Sequence, residues 1–227
     1  MQFSLGSIYH IYNQGNNRQK IFFTIENYEF FIRKVRIHLL PYADILAWCL
    51  MPNHFHIMVE VKEVVLPAPA PAHGVAALHS PVSRSATASR APTKPGAPTK
   101  PPPANDEIDL NHSIGIMLAS YTRAINKQEN TTGSLFRQKT KAICLNEQQG
   151  VSSNWYMEYG VTFLKLSIPE WQYPQVCFNY IHNNPVKAGL VADARHWRYS
   201  SLNEIINKSP DSLVNLDRVH ALGLNFI

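Results

Sequence analysis

His54 and His56 flank Phe55 in the stretch Met51-Pro52-Asn53-His54-Phe55-His56. In a strand, side chains alternate between faces and the chain rises about 3.3 Å per residue, so the two imidazoles share a face roughly 6.6 Å apart. Two histidines at that spacing can hold one divalent cation between them, while Phe55 on the other face packs into a core. Glu60 falls on the histidine face further along and is a candidate for an additional ligand. A His-x-His pair also suits an ordinary solvated strand face, so the surrounding elements have to decide.

Those elements follow from the hydrophobic pattern. Residues 7–12, Ser-Ile-Tyr-His-Ile-Tyr, alternate as a first strand, and Asn13 to Asn17 break it with turn formers. Thr24 is a suitable N-cap for a helix to about Leu40. Its apolar stripe is Tyr28, Phe31, Ile32, Val35 and Leu39, and Pro41 stops it. Two strand-like runs then flank Met51-Pro52-Asn53 as a hairpin. Asp106 or Asp109 can start a second helix to about Glu129, striped by Ile114, Met117, Leu118, Tyr121 and Ile125. Phe136 to Cys144 reads as extended, with Arg137, Lys139 and Lys141 alternating onto one face as candidate phosphate contacts.

The order strand, helix, strand, strand, helix, strand predicts an α+β fold: a ferredoxin-like βαββαβ domain with an antiparallel sheet and its helices on one face. Residues 66–105 run from Leu-Pro-Ala-Pro-Ala-Pro-Ala to Pro-Thr-Lys-Pro-Pro-Pro. They predict a long disordered Pro/Ala-rich insertion inside the domain, since they offer few groups to bury. The domain is expected over residues 1–145, with a C-terminal helical extension over 146–227 packed on it. There Pro174 opens a helix to about Asn183, and Asn184-Pro185 is expected to end it. Trp197-Arg198-Tyr199 mixes aromatic and basic groups, which makes Arg198 a candidate nucleic-acid contact.

Composition excludes several classes. With 45% hydrophobic residues over 227 positions the chain can bury a real core. No stretch reaches the roughly 20 apolar residues of a membrane span, and the N-terminus has no basic region followed by an apolar run. Three widely spaced cysteines, Cys49, Cys144 and Cys177, predict reduced thiols rather than a disulfide frame or a zinc site. A net charge of +5 favours a polyanionic partner.

Several motifs occur in one order: Tyr9-His10-Ile11-Tyr12-Asn13, Met51-Pro52-Asn53-His54-Phe55-His56, Tyr121-Thr122-Arg123-Ala124-Ile125-Asn126, Gly133-Ser134-Leu135-Phe136 and Tyr180-Ile181-His182-Asn183-Asn184-Pro185-Val186-Lys187-Ala188-Gly189-Leu190. Together they resemble the single-tyrosine transposases of the HUH endonuclease superfamily, and within it the REP-associated tyrosine transposases of bacteria. The resemblance covers about residues 5–62 and 108–202. It departs at Asn13-Gln14-Gly15, where the family commonly has Asn-Arg-Gly, and in the long insertion.

The resemblance implies a transposase-type endonuclease and strand transferase that cuts single-stranded, hairpin-associated DNA through a 5′-phosphotyrosine. It implies His54 and His56 as ligands of Mg²⁺ or Mn²⁺ and places the nucleophile at Tyr121; Asn126 resembles the family's asparagine as third ligand, and Glu60, in register with the histidines, competes for that place. It further implies single-stranded or hairpin DNA as partner, no membrane, a monomer or homodimer, and a cytoplasmic, nucleoid-associated location. Two other readings suit the same residues. One is a catalytically inactive repressor that keeps hairpin binding; the other is an RNA-binding ferredoxin-like module, since such sheets display aromatics to single strands.

Overall fold

The computed structural model describes residues 1–67, 107–146 and 173–227, and the backbone of residues 155–158 and 161–164. Strand β1 (Ile8–Gln14) leads into helix α1 (Ile25–His38), followed by strands β2 (Ala43–Met51) and β3 (His54–Val61). The start of α1 is fixed by Asn27, whose Oδ1 accepts from the backbone N–H groups of Phe23 and Thr24, satisfying donors left free outside the first turn. Pro52 and Asn53 form the two-residue connection of the β2–β3 hairpin, with Met51 opposite His54.

The short strands β4 (Val65–Pro67) and β5 (Glu107–Asp109) pair with each other. The chain then enters helix α2 (Leu110–Gln128), capped by Asp109 accepting from the N–H of His112 at 2.6 Å. Strand β6 (Lys141–Cys144) closes the main sheet, whose order is β2-β3-β1-β6, antiparallel throughout. That is the expected ferredoxin-like arrangement, with the second and third strands of the sequence at one side and the first and last at the other. The expected extended run from Phe136 is shorter: β6 begins only at Lys141, because residues before it form a loop tied to β1 by the bridge Gly15–Phe136. The insertion begins two residues later than expected, since Leu66 and Pro67 belong to β4; residues 68–106 lie outside the described residues.

Strand periodicity gives the sheet two distinct faces. Phe55 faces the helical layer, meeting Phe31 of α1 at 5.0 Å between ring centroids and the Phe136 ring at 6.0 Å. His54, His56 and Glu60 face the other way. This second face is covered by the C-terminal part of the chain, beyond a hairpin of β7 (Trp155–Glu158) and β8 (Val161–Leu164), whose side chains lie outside the described residues.

Helix α3 (Tyr173–Lys187) lies across β2 and β3, and short helices α4 (Leu202–Ile206) and α5 (Leu216–Ala221) complete the layer. The outer edge of β2 is also closed. The N–H of Leu50 donates to the Tyr199 carbonyl at 2.8 Å, that of Trp48 to Ser201 Oγ at 2.9 Å, and that of Asn215 donates to the Ile45 carbonyl at 2.9 Å. A covered edge offers no template for pairing with another chain.

One expectation about α3 is overturned. Asn184-Pro185 does not stop the helix, which runs on to Lys187 and ends through Gly189 at φ +68°. Pro185 removes only the N–H that would donate to the Ile181 carbonyl, and the chain beyond it stays helical, with Ala188 and Leu190 donating to the carbonyls of Asn184 and Pro185. Asn184 is therefore helical and shares a face with Tyr180, one turn before it.

Candidate active site

The two histidines open β3 beside the hairpin turn, and each has its inner ring nitrogen engaged. Asn53 donates its Nδ2 to the Arg18 carbonyl at 3.3 Å, which turns its Oδ1 to His54 Nδ1 at 2.6 Å. An amide oxygen only accepts, so His54 carries its proton on Nδ1 and leaves Nε2 a lone pair. His56 Nδ1 lies 2.9 Å from Nε2 of His10, a buried neighbour on β1. The outer nitrogens converge on one side chain: Asn184 of α3 sets Oδ1 3.4 Å from His54 Nε2 and Nδ2 3.3 Å from His56 Nε2.

Burial keeps these imidazoles neutral. It pushes His56 down to about 2, helped by the adjacent His10 and His54, and His10 down to about 4. His54 is lowered too, chiefly by burial. Neutral imidazoles with free Nε2 lone pairs are the form that binds metal. As the amide is turned, His54 Nε2 and Asn184 Oδ1 are two acceptors facing each other with no proton between them. A cation held by both would relieve that contact. Two imidazole nitrogens and an amide oxygen fit a divalent ion that completes its shell with oxygen ligands, as Mg²⁺ and Mn²⁺ do. No group of three or more His, Cys, Asp or Glu side chains able to hold a metal occurs among the described residues, so the amide is the third donor that fits.

A pocket of about 220 Å³ opens over the two histidines, lined by Tyr12, Asn13, Gln14, His54, His56, Arg137, Lys139, Lys141 and Tyr180. Tyr180 is 40% exposed, and its ring centroid lies 5.4 Å from that of His56. Tyr180, Asn184 and Lys187 follow one face of α3 at intervals of four and three, and Lys187 Nζ stands 5.3 Å over the Tyr180 ring. On the opposite wall Lys141 Nζ lies 5.9 Å from the Tyr12 ring. Asn13 secures the basic loop, donating from Nδ2 to the Arg137 carbonyl and to Thr140 Oγ1. The pocket therefore combines a neutral nitrogen-and-oxygen donor set, a solvent-accessible phenol and a cationic rim.

Four sequence candidates, Tyr121, Asn126, Glu60 and Arg198, are placed elsewhere. Tyr121 is fully buried on the opposite face of the sheet, where its hydroxyl donates to the Ile21 carbonyl at 2.7 Å and its ring packs among Phe22, Phe30, Phe31 and Phe136. Burial first, and the neighbouring Tyr28 second, raise its pKa far above that of an ordinary phenol. The apolar stripe of α2 does face the sheet, but on the side away from the histidines. Asn126 closes the turn after its helix, donating to the Gly133 carbonyl at 2.9 Å and accepting from Thr131 Oγ1. Glu60 shares the histidine face, yet both its oxygens are held by the Arg218 guanidinium of α5, one at 2.7 Å. Arg137, Lys139 and Lys141 line the pocket as anticipated for phosphate contacts, whereas Arg198 lies 3.9 Å from Glu29 and 5.9 Å from the Tyr199 ring.

Tyr12, Tyr180, Asn184 and His10 were missed as site residues. The four-residue interval between Tyr180 and Asn184 was the available signal, hidden by the reading of Pro185 as a helix stop.

Fold and site together describe a ferredoxin-like sheet whose second face carries a His-x-His pair beneath a helix bearing tyrosine and asparagine. Among solved structures, a REP-associated tyrosine transposase bound to a REP hairpin shares this fold, with a TM-score of 0.51 at 13% identity over 94% of this chain and 87% of that one. No protein-family model matches the chain, and no curated protein gives a significant match.

Proposed function

We propose that the chain is a transposase-type single-stranded DNA endonuclease and strand transferase that works through a phosphotyrosine, with Tyr180 as the nucleophile. The observation that carries this reading is the placement of an exposed phenol one helical turn from Asn184 and 5.4 Å from the His56 ring, inside a pocket rimmed by Arg137, Lys139 and Lys141.

His54, His56 and Asn184 would hold a divalent cation, Mg²⁺ or Mn²⁺, which when bound supplies Lewis-acid polarisation of a phosphodiester. The basic rim and Lys187 bind and orient the phosphate, neutralising its charge as the phenol approaches. The Tyr180 oxygen attacks phosphorus, the bond to the 3′ oxygen breaks, the phenolic proton passes to solvent, and the departing 3′ oxygen takes up a proton from solvent. A 5′-phosphotyrosine and a free 3′-OH result. The covalent link keeps the energy of the phosphodiester, so a second 3′-OH can take over the phosphoryl group without ATP. Every residue of this site comes from one chain, so a monomer suffices.

Hairpin DNA is the substrate class supported by the fold neighbour, which carries a REP hairpin, and it would be met on the nucleoid in the cytoplasm. Purified protein with labelled hairpin-tailed single strands and Mn²⁺ should give a covalent adduct on denaturing gels. Loss of that adduct in Tyr180→Phe and on chelation is expected; hairpin binding without any adduct would instead favour a non-catalytic repressor.

A further inference from the structure

His10 touches His56 and has no task in the proposed reaction. It sits on β1 with 8% exposure, and its ring stacks on that of His56 with centroids 5.0 Å apart and planes at 29°. In the register of β1 on β3, Met58 lies opposite His10 and Tyr12 opposite His56. The two histidines are thus diagonal neighbours on one sheet face, within reach of each other. Their Nε2 and Nδ1 atoms stand 2.9 Å apart.

Between two neutral imidazoles a single proton serves such a bond, and it has two possible homes. If His10 Nε2 carries it, His56 must keep its own proton on Nε2, the atom facing Asn184, and cannot ligate. If His56 Nδ1 carries it, His56 Nε2 keeps its lone pair. We propose that His10 is the acceptor that holds His56 in this second form, and so is a positioning residue for the cation. This rests on the reading of His54, His56 and Asn184 as a cation site.

The two ligand histidines are then held by different devices. Asn53 locks His54, because its amide is itself fixed by the Arg18 carbonyl. His10 has no such lock printed into its chemistry, since an imidazole nitrogen can accept or donate. Cation binding selects the accepting form. Removing an outer hydrogen-bond partner of a ligating histidine typically weakens metal binding by about 10- to 100-fold.

The test is a Mn²⁺ titration of the full chain without DNA, followed by electron paramagnetic resonance. His10→Phe keeps an aromatic ring against Tyr12 but removes the acceptor, and should bind Mn²⁺ about 10- to 100-fold more weakly than the unaltered chain. His10→Gln restores an acceptor oxygen and should recover most of that loss. A second measurement needs no variant: with saturating Mg²⁺, ¹⁵N shifts of the unaltered chain should place the His56 proton on Nδ1. Unchanged Mn²⁺ affinity in His10→Phe, with affinity lost in His56→Ala, would overturn the role of His10 alone, whereas a His56 proton on Nε2 in the Mg²⁺ complex would remove His56 as a ligand and overturn the cation site as well. No Mn²⁺ binding by the unaltered chain, or undiminished binding by His56→Ala, would overturn the cation site and this inference together.

Discussion

Tyr180 and Tyr121 carry the same phenol into opposite surroundings, and those surroundings decide what each can do. Tyr180 is open to solvent beside neutral imidazoles and cations, whereas Tyr121 is a fully buried donor to the Ile21 carbonyl. Tyr121→Phe leaves that carbonyl without its partner and should cost about 1–3 kcal/mol in urea unfolding, while adduct formation persists at temperatures where the variant stays folded. The buried histidines give a pH dependence with a definite sign. His10, His56 and His182 are lowered from 6.5 to about 4, 2 and 3, mainly by burial. The unfolded chain therefore binds more protons below about 6.5. Their contribution to stability is complete above that pH and is lost as pH falls towards the folded values, at about 1.4 kcal/mol per pH unit for each independent group. The urea midpoint should drop between about pH 6.5 and pH 4.5; a flat or rising midpoint would contradict the burial of neutral imidazoles.

At the scale of elements, the sequence patterns led directly to the sheet and only partly to the site. Period-two alternation at Phe55 and His56 and the Pro52-Asn53 turn specify the hairpin, so the shared face of His54 and His56 was legible. The stripe of α2 was equally legible as an apolar face, but periodicity does not say which side of a sheet that face meets, and Tyr121 lies on the side away from the histidines. Helix α3 escaped because Pro185 near its end reads as a stop, although the helix runs through it to Lys187. Gly15 marks a close approach that composition alone does not reveal: a Cβ there would lie 2.1 Å from the Gln19 carbonyl oxygen. The insertion enters and leaves through paired β4 and β5, with Pro67 opposite Glu107. Replacing residues 68–106 by Asn-Gly, which suits a two-residue hairpin, should preserve the fold. The shortened chain is expected to melt within a few degrees of the full one and to retain adduct formation. Loss of cooperative melting would show that the insertion contributes to the domain.

At the scale of the molecule, a ferredoxin-like sheet is used on both faces, with α1 and α2 forming the core on one and the C-terminal layer completing the site on the other. The net charge of +5 is given direction by Arg137, Lys139, Lys141 and Lys187 around the pocket. If these four cations each neutralise one phosphate of a single strand, log affinity should fall with log salt at a slope of roughly −3. Substituting Lys139 with alanine should reduce that slope by about 0.7, as measured by fluorescence anisotropy over a salt series. The central claim is the identity of the nucleophile, and peptide mapping of the covalent protein–DNA adduct by mass spectrometry tests it most directly. A nucleotide attached to the tryptic peptide containing Tyr180, and lost in Tyr180→Phe but not in Tyr121→Phe, is the predicted result. Attachment at Tyr121, or an undiminished adduct in Tyr180→Phe, would contradict the account.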